Sequence, residues 1–373
     1  MRGALRTLIF LSTVLLVLSG VCAYIAERSM ALCPALAAHG ALVWSLVGGL
    51  TALLFLVPLL RRVPGLGWVQ SLYWLSYGWF GFMSIYVVYL AAADLAQALL
   101  RLAGFRAGPW AFALAAGGAL ASVLLGLVSA LRPVATRRVT VPVEGLPEGL
   151  EGLRILQISD LHLGPLVRRS QVDHIVSAGN ALKLDLIAIT GDLVDGGADG
   201  TRAKAGRMAA LQATHGVFFI TGNHEYYSGV DRWLELFRTF GWRVLDNEHM
   251  LLEHRGARLA VAGMPDPTAH SGPDLARALA GIPAGATTIL LFHRPTGFEA
   301  AERAGVALQL SGHTHAGQYF PWSLVVQALY AHPRGLGRHG RMWIHTSVGT
   351  GFWGPPNRFL VPPELTLLEL TRR

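Results

Sequence analysis

The sequence predicts an α/β domain that is preceded by an all-α region of four transmembrane helices. Hydrophobic residues make up 52% and charged residues 14% of the 373 positions, whereas an ordinary soluble domain is about a quarter charged. Long apolar runs fill the first third of the chain, and from Leu153 onward short apolar runs alternate with helix-like segments, as in α/β domains. A chain of this length exceeds a single hydrophobic core, so we expect at least two structural units.

The N-terminal region contains four apolar runs, each long enough to cross a bilayer, which requires about 20 helical residues. Arginines and prolines separate these runs, which cover residues 7–26, 35–60, 68–93 and 110–131. Their cores carry no acidic or basic residue, so a buried helical bundle in a soluble protein explains them poorly. We therefore predict a transmembrane anchor over residues 1–138, a linker over 139–152 and a second domain over 153–373.

The net positive charge of the chain lies in the same N-terminal region. Residues 1–139 contain 10 Lys and Arg against 2 Asp and Glu, and the remaining residues contain 21 of each class. A nucleic-acid-binding protein would carry such an excess on its folded domain, so we expect no nucleic-acid binding. The arginines punctuate apolar runs instead, which is typical of membrane proteins.

The same arginines predict the orientation of the anchor. In a four-pass topology, seven fall on one side and three on the other, namely Arg2, Arg6, Arg61, Arg62, Arg132, Arg137 and Arg138 against Arg28, Arg101 and Arg106. By the positive-inside rule, both termini and the second domain lie in the cytoplasm, and the protein is a multi-pass protein of the inner or cell membrane. As an alternative, the first run is a cleaved signal peptide, since Val21-Cys22-Ala23 loosely resembles a cleavage site.

The second domain is predicted to alternate strands with helices. Runs rich in Ile, Leu and Val indicate buried strands at Leu153–Ser159, Leu184–Thr190, Val217–Thr221, Thr287–Phe292 and Val306–Ser311. Helix-like segments cover Val167–Leu182, Arg202–Ala213, Val230–Phe240 and Thr296–Arg303. We expect a hairpin at Met250–Glu253 and Arg258–Ala262, later strands at Met342–Thr346 and Leu365–Leu370, and a loop over residues 335–340.

Each of the five buried strands is followed by residues that can bind a metal ion. These residues form the motifs Asp160-Leu161-His162, Gly191-Asp192-Leu193-Val194-Asp195, Gly222-Asn223-His224-Glu225, the single His293, and Gly312-His313-Thr314-His315. Open α/β sheets place their sites at the carboxyl ends of the strands, so we expect these loops to converge. Oxygen and imidazole donors without a thiolate suit a pair of Mn, Fe or Zn ions, and phosphate ester cleavage benefits from such a pair.

Each motif by itself is also compatible with an ordinary turn, because Gly, Asp and Asn favour turns and most histidines are not ligands. The occurrence of all five in order, each at a strand end, favours the metal site. Other chemistries fit less well. Cys22 and Cys33 lie in or beside apolar runs, which disfavours cysteine catalysis and a disulfide framework. The chain has neither a Gly-x-Ser-x-Gly elbow nor a phosphate-binding loop that ends in Gly-Lys-Ser/Thr.

The ordered motif set resembles the calcineurin-like metallophosphoesterase superfamily over roughly Leu153 to Leu370. The stretches Ile158–Gly164 and Gly312–Gln318, with the tail Pro355-Pro356-Asn357-Arg358 and Pro362-Pro363-Glu364-Leu365, resemble its bacterial membrane-associated branch. The resemblance implies that residues 153–373 form a four-layer αββα metallophosphoesterase sandwich that binds two divalent metal ions.

The resemblance also implies a role for each motif residue. Asp160, His162, Asp192 and His315 would hold the first metal, and Asp192, Asn223, His293 and His313 the second, with Asp192 bridging. His224 would be a catalytic residue rather than a ligand, and would polarise the phosphate and help protonate the leaving oxygen. Asp195 would orient the ring of His224. The attacking group would be a metal-bridging hydroxide, without a covalent intermediate on the protein.

Together these features predict a membrane-anchored dimetal phosphoesterase that hydrolyses a phosphoester or pyrophosphate bond of a lipid-linked substrate. Some membrane-associated members of the family that it resembles cleave the pyrophosphate of UDP-diacylglucosamine. The alternatives are a tethered phosphodiesterase for soluble nucleotide-type substrates and a membrane sensor with a non-catalytic phosphoesterase domain. The segment from Tyr319 to Tyr330 is unusually apolar. Core packing is favoured for it over an apolar wall beside the metals or a segment that dips into the membrane interface.

Overall fold

The computed structural model describes residues 2–60, 68–105 and 110–373. It divides into two compact units, which we call the helical unit (Met1–Leu127 with Gly354–Asn357) and the sheet unit (Val128–Trp353 with Arg358–Arg373). Three residues on which the predicted orientation depends, Arg61, Arg62 and Arg106, lie outside the described residues. The orientation and the domain boundaries therefore stay predictions.

The N-terminal third is helical, as predicted. Its helices are α1 (Arg2–Leu32), α2 (Pro34–Ala37), α3 (Gly40–Leu60), α4 (Val69–Leu102) and α5 (Trp110–Leu131). Four of these, all except α2, contain a stretch long and apolar enough to cross a membrane. The fourth predicted run coincides with α5, whereas α1 and α4 continue beyond the predicted ends of their runs at residues 26 and 93.

Hydrogen bonds between side chains join the helices of the helical unit. The Trp79 indole of α4 donates to Thr51 Oγ1 of α3 at 2.9 Å, and the hydroxyls of Ser29 (α1) and Tyr86 (α4) are 2.9 Å apart. Tyr89 of α4 contacts Ser122 of α5 at 3.0 Å. Such polar contacts stabilise helix packing where lipid supplies no hydrophobic driving force.

The helical unit also contains an ion pair that the apolar pattern did not reveal. Arg28 Nε of α1 donates to both carboxylate oxygens of Asp94 in α4, at 3.0 and 2.9 Å, and the hydroxyl of Tyr24 donates to the same carboxylate at 2.7 Å. The third apolar run ends at residue 93, so the sequence predicted that Asp94 follows the end of its helix. In the structure the helix continues past it, and the pairing explains why its charge is tolerated there.

The sheet unit contains two six-stranded sheets. Its strands are β1 (Ala135–Val143), β2 (Arg154–Ile158), β3 (Leu186–Thr190), β4 (Val217–Ile220), β5 (Arg243–Val244), β6 (Glu248–His254), β7 (Ala257–Met264), β8 (Thr287–Phe292), β9 (Leu308–Ser311), β10 (Gly335–His339), β11 (Met342–Thr346) and β12 (Glu364–Arg372). The strand orders are β1-β12-β2-β3-β4-β5 and β10-β11-β9-β8-β7-β6. Because β2, β3 and β4 are parallel, as are β7, β8 and β9, their carboxyl ends share an edge within each sheet.

The sheet unit also contains helices between its strands. They are α6 (Arg169–Asn180), α7 (Ala198–Ala205), α8 (Asn223–Tyr227), α9 (Val230–Thr239), α10 (Leu275–Leu279), α11 (Phe298–Arg303) and α12 (Trp322–Leu329). On the outer face of the first sheet, Phe237 of α9 packs on Phe219 of β4 with ring centroids 4.8 Å apart. On the second sheet, α10 and α11 share a buried apolar cluster with β7, β8 and β11. Fully buried side chains such as Ile155, Phe218 and Ile289 fill the space between the sheets. The fold is therefore the four-layer αββα sandwich that the sequence implied.

Three segments differ from their predicted structure. Residues 135–143, divided between anchor and linker in the sequence analysis, form the edge strand β1, which pairs in parallel with β12. Residues 335–339 form β10, which pairs with β11, rather than a loop. In α12 only Ser323 is buried, whereas Leu324 and Leu329 are exposed, so core packing was wrong for this helix. The partner of β1 is distant in the sequence, that of β10 is the next strand along the chain, and the described residues cover little of α12.

We expect Phe218→Ala to lower the melting temperature of the sheet unit by about 10 °C, because removing a fully buried phenyl group costs about 3–5 kcal/mol. Thermal unfolding of the full-length protein in detergent measures the effect. Leu251→Ala is the matched control, since Leu251 is 46% exposed and should shift the transition little. Equal shifts in the two variants would contradict the inter-sheet core.

Candidate metal centre

The five predicted motifs lie at the carboxyl ends of β2, β3, β4, β8 and β9, and their side chains converge on one cluster. Three groups of ligand atoms each lie within 4.8 Å of one another, namely Asp160 with His162 and His315, His162 with Asp192 and His224, and Asp192 with His293 and His313. Because the groups share His162 and Asp192, they form one continuous centre.

The backbone around this centre is unusual. Five candidate ligands have left-handed backbone angles, with φ between 48° and 68°, namely Asp160, His162, Asp192, His313 and His315. Non-glycine residues avoid this region, at a cost of about 1–3 kcal/mol each. Backbone hydrogen bonds hold two of the turns in register: the amide of Asp160 donates to the carbonyl of Gly191, and that of His162 to the carbonyl of Asp192. Such strain is common at functional sites, where the surrounding structure enforces it.

In the first half of the centre, two imidazoles point their nitrogens at each other. Nε2 of His162 lies 2.9 Å from Nε2 of His315, and the latter atom lies 3.4 Å from Oδ1 of Asp160. The backbone amide of His313 and the hydroxyl of Ser159 donate to Asp160 and fix its carboxylate.

In the second half, Asp192 lies between the two groups. Its Oδ2 is 3.1 Å from Nε2 of His293 and 3.9 Å from Nε2 of His162. Nδ1 of His293 donates to the carbonyl of Thr190 at 2.7 Å, which leaves Nε2 as the nitrogen that faces Asp192. The central place of Asp192 is compatible with the bridging role that the resemblance implies.

The residues present fit divalent metal ions. Oδ1 of Asn223 is buried and makes no hydrogen bond, although a buried polar atom without a partner is costly, and Nε2 of His293 faces the carboxylate of Asp192 at 3.1 Å. Carboxylate, imidazole and amide donors, without a thiolate among them, match Mn, Fe or Zn. The buried Asp and His side chains of the three groups supply several such ligand atoms within 4.8 Å of one another, as a cation requires.

The electrostatics of the centre also fit the binding of divalent metal ions. Burial lowers the pKa of His162 and of His313 to about 4 and that of His315 well below its usual value, so these rings are neutral at pH 7. Neutral imidazole is the form that binds metals. Burial would also lower the pKa of His293, but the Asp192 carboxylate raises it to about 10. The site therefore favours a positive charge beside Asp192.

His224 lies next to the cluster with its ring held from one side. Its Nδ1 is 3.3 Å from Oδ1 of Asp195, and its ring packs edge-on against that of His162, with centroids 4.5 Å apart. Burial would lower the pKa of His224, but the hydrogen bond to Asp195 together with the nearby carboxylates of Asp192 and Asp195 raises the pKa above its usual value. His224 also belongs to one of the three groups of ligand atoms, so proximity alone does not separate a catalytic role from a ligand role.

Glu225 is a buried residue to which the sequence analysis assigned no role. Its carboxylate accepts hydrogen bonds from the amides of Asp192, Leu193 and Gly222 at 2.7–3.0 Å, and burial raises its pKa to about 7. It thus ties the loop after β3 to the loop after β4. The Gly-Asn-His-Glu motif could have indicated this role, because a glutamate at the third helical position often accepts a hydrogen bond from the backbone at the start of its helix.

Arg358 is a second residue whose role only the structure shows. The side chain is fully buried. It donates to the carbonyls of Gly351 and Val348 at 2.8 and 2.7 Å, and Nη2 lies 3.2 Å from Nδ1 of His315. It therefore supports the loop behind one candidate ligand. The Pro-Pro-Asn-Arg stretch carried the resemblance, but nothing in the sequence indicated that Arg358 would lie behind His315.

Two glycines allow the loops to approach each other. A Cβ at Gly222 would overlap Oδ1 of Asp192, and a Cβ at Gly312 would overlap the side chains of Ser159 and Asp160. Both positions therefore exclude a side chain, which agrees with the close approach predicted from the motifs.

Comparison with known proteins gives three relevant similarities. Residues 153–317 match the family model of the calcineurin-like phosphoesterases. A transmembrane protein with metallophosphoesterase domain from Danio rerio is 38% identical over 261 residues, which cover 66% of this chain and 59% of that protein. A metallophosphoesterase from Aquifex aeolicus is 33% identical over 258 residues, which cover 67% of this chain and 97% of that protein. The chain thus spans 59% of the length of the Danio rerio relative.

We expect Gly222→Ala to reduce bound metal by about tenfold or more, because the new methyl group displaces the Asp192 carboxylate. Metal analysis of the purified full-length variant measures this loss. Gly206→Ala is the matched control, since no described atom lies within 4 Å of a Cβ built there and its φ of −56° suits alanine. Full metal content in Gly222→Ala would contradict a ligand role for Asp192.

Proposed function

The chain belongs to the calcineurin-like metallophosphoesterase family, and we propose that it is a membrane-associated, metal-dependent phosphoester hydrolase. We propose further that it holds two divalent cations and cleaves a phosphoester or pyrophosphate bond of a lipid-linked substrate. The observation that carries the proposal is the convergence of ligand groups from five strand ends on one buried centre. The enzyme activity, the substrate class and the number of cations are all part of the proposal.

The proposed ligands divide into two sets. Asp160, His162, Asp192 and His315 would hold one cation, and Asp192, Asn223, His293 and His313 the other. Divalent cations bound in this way polarise phosphoryl oxygens and lower the pKa of water, which supplies the attacking group at neutral pH. The remaining chemistry falls to the side chains of the protein around them.

His224 is the proposed catalytic residue beside the cations. Its Nδ1 faces Asp195, so Nε2 is the nitrogen free to act on the substrate. A protonated ring there would hydrogen-bond a phosphoryl oxygen and then donate its proton to the leaving oxygen. Asp195 is the corresponding positioning residue, because its carboxylate orients the ring and favours the charged form.

An aromatic rim beside His224 supports a substrate with an apolar part. Tyr227 and Trp353 lie with their ring centroids 5.4 and 5.8 Å from that of His224, and both side chains are more than half exposed. An acyl chain next to the phosphoryl group would cover this rim. The long apolar helices support the same substrate class, since they would keep the enzyme at the surface where lipid substrates are found.

The second candidate is hydrolysis of a soluble nucleotide-type substrate. The same exposed Tyr227 and Trp353 rings would stack on a base as well as they would cover an acyl chain. In this alternative the anchor only localises the enzyme. For either substrate we retain the proposal of an anchor over residues 1–138 and a catalytic domain on the cytoplasmic side of the cell membrane.

We expect His224→Ala to lower kcat by about 10²- to 10⁴-fold, the usual contribution of a general acid, while both metals stay bound. The measurements are hydrolysis of bis-p-nitrophenyl phosphate with added manganese, and metal analysis of the same preparation, with chelated enzyme as the zero reference. His215→Ala is the control, since His215 pairs with His254 away from the motifs. Loss of both metals in His224→Ala would show that His224 is a ligand instead.

We expect Trp353→Ala to lower kcat/KM for a lipid-linked phosphoester by about tenfold and to leave bis-p-nitrophenyl phosphate nearly unaffected. The reason is that removal of an apolar contact penalises only the substrate that makes it. The assay compares both substrates with full-length enzyme in detergent, together with a nucleotide diester. A loss confined to the nucleotide diester would favour the second candidate.

A further inference from the structure

In addition to the aromatic rim at His224, the sheet unit exposes an apolar surface on the helix α12. The helix α12 exposes Trp322, Leu324, Val325 and Leu329, and the exposed fractions reach 55% at Leu324 and 74% at Leu329. A side of a helix that is apolar and exposed over its whole length is rare on soluble proteins and usually marks an interaction surface.

A second segment continues this surface. The amide of Phe320, just before α12, donates to the carbonyl of Phe359 at 3.0 Å, and the next residue, Leu360, is 68% exposed. We call Trp322, Leu324, Val325, Leu329 and Leu360 the docking face. This hydrogen bond joins the two segments next to the start of α12, so Leu360 and the helix belong to the same part of the protein surface.

Basic residues border the docking face at Leu360. This side chain lines a groove of about 550 Å³ together with Arg137 and Arg334. Although Arg137 contacts Glu364 at 3.4 Å, its side chain is still 58% exposed. Arginines beside exposed apolar side chains complement an anionic lipid surface, where each adds about 1 kcal/mol of attraction.

Chain connectivity keeps this surface near the proposed anchor. The spanning helix α5 ends at Leu131, so the backbone of Arg137 lies within about 20 Å of that end, even if the intervening residues are fully extended. Arg137 lines the same groove as Leu360. A bilayer that contains the spanning helices would therefore lie within reach of this edge of the docking face.

We propose that α12 is an interfacial helix whose docking face inserts into the boundary between headgroups and acyl chains of an anionic bilayer. Arg137 and Arg334 contact lipid phosphates at its edge. The short 3-10 turn His315–Gly317 lies four residues before α12, so insertion would hold the candidate metal centre at a set depth. The inference rests on the proposed anchor and does not depend on which substrate the enzyme takes.

Site-directed fluorescence of the full-length protein in lipid nanodiscs tests the inference. Cys22→Ser and Cys33→Ser remove the native thiols, and Leu329→Cys carries an environment-sensitive label. Leu251→Cys is the control, because Leu251 is also exposed but lies on β6, at the opposite edge of its sheet from β10. Leu125→Cys, on the exposed side of α5, reports the anchor itself. Spin-labelled phosphatidylcholine quenches from the bilayer and iodide quenches from water.

We expect lipid quenching at position 329 to exceed that at position 251 by about threefold, with the opposite order for iodide. Replacing anionic phosphatidylglycerol by phosphatidylcholine should lower lipid quenching at 329 by about half. Absence of this response would overturn the role given to Arg137 and Arg334.

Other outcomes would overturn the docking itself. Iodide quenching at 329 equal to that at 251 would place the helix in water. Protection from both quenchers would instead indicate a protein partner or a second copy of this chain. Failure of lipid quenching at 125 would remove the anchor as well, which separates loss of the proposed membrane association from loss of the docking face alone.

Discussion

The structure depends on one constraint, which is that two buried carboxylates share a small volume with several neutral imidazoles. Asp160 and Asp192 are at most 2% exposed, and the pKa of His293 is raised to about 10 beside Asp192. Such a volume demands positive charge, because an uncompensated buried carboxylate costs several kcal/mol. Divalent cations would neutralise the buried carboxylates and would also be bound by the neutral imidazoles. The same buried groups therefore account for both the electrostatics of the centre and its proposed chemistry.

The rigid surroundings of the centre explain how its strained loops persist. Five candidate ligands have left-handed backbone angles, a conformation that an isolated loop would leave. Buried charged groups outside the cluster hold these loops: Glu225 binds the amides after β3, and Arg358 binds the carbonyls behind His315. The two sheets between which the core packs then fix the loops relative to each other. The surrounding residues therefore fix the positions of the candidate ligands, as precise metal sites require.

Much of this arrangement was predictable. Each strand end was marked by a glycine or a polar residue after an apolar run. These local patterns were enough to predict the convergence of the motifs, because parallel strands place their carboxyl ends at a common edge of the sheet. The four long apolar helices were also predictable, because a segment that is to cross lipid must be long and apolar throughout, and both properties can be read locally from the sequence. The edge strands β1 and β10 were not predictable from the sequence. They carry Arg and Gly residues and acquire strand structure only by pairing with β12 and β11.

The sequence by itself determined the long apolar helices, the fold class and the identity of the residues that converge, because these follow from hydropathy and from the order of motifs along the chain. Only the tertiary structure decided which side chains support those residues, that Asp94 has a cationic partner in another helix, and that α12 is exposed. The physical reason is the same in each case. Burial, pairing and exposure depend on neighbours that are distant in sequence, and a local pattern carries no information about them.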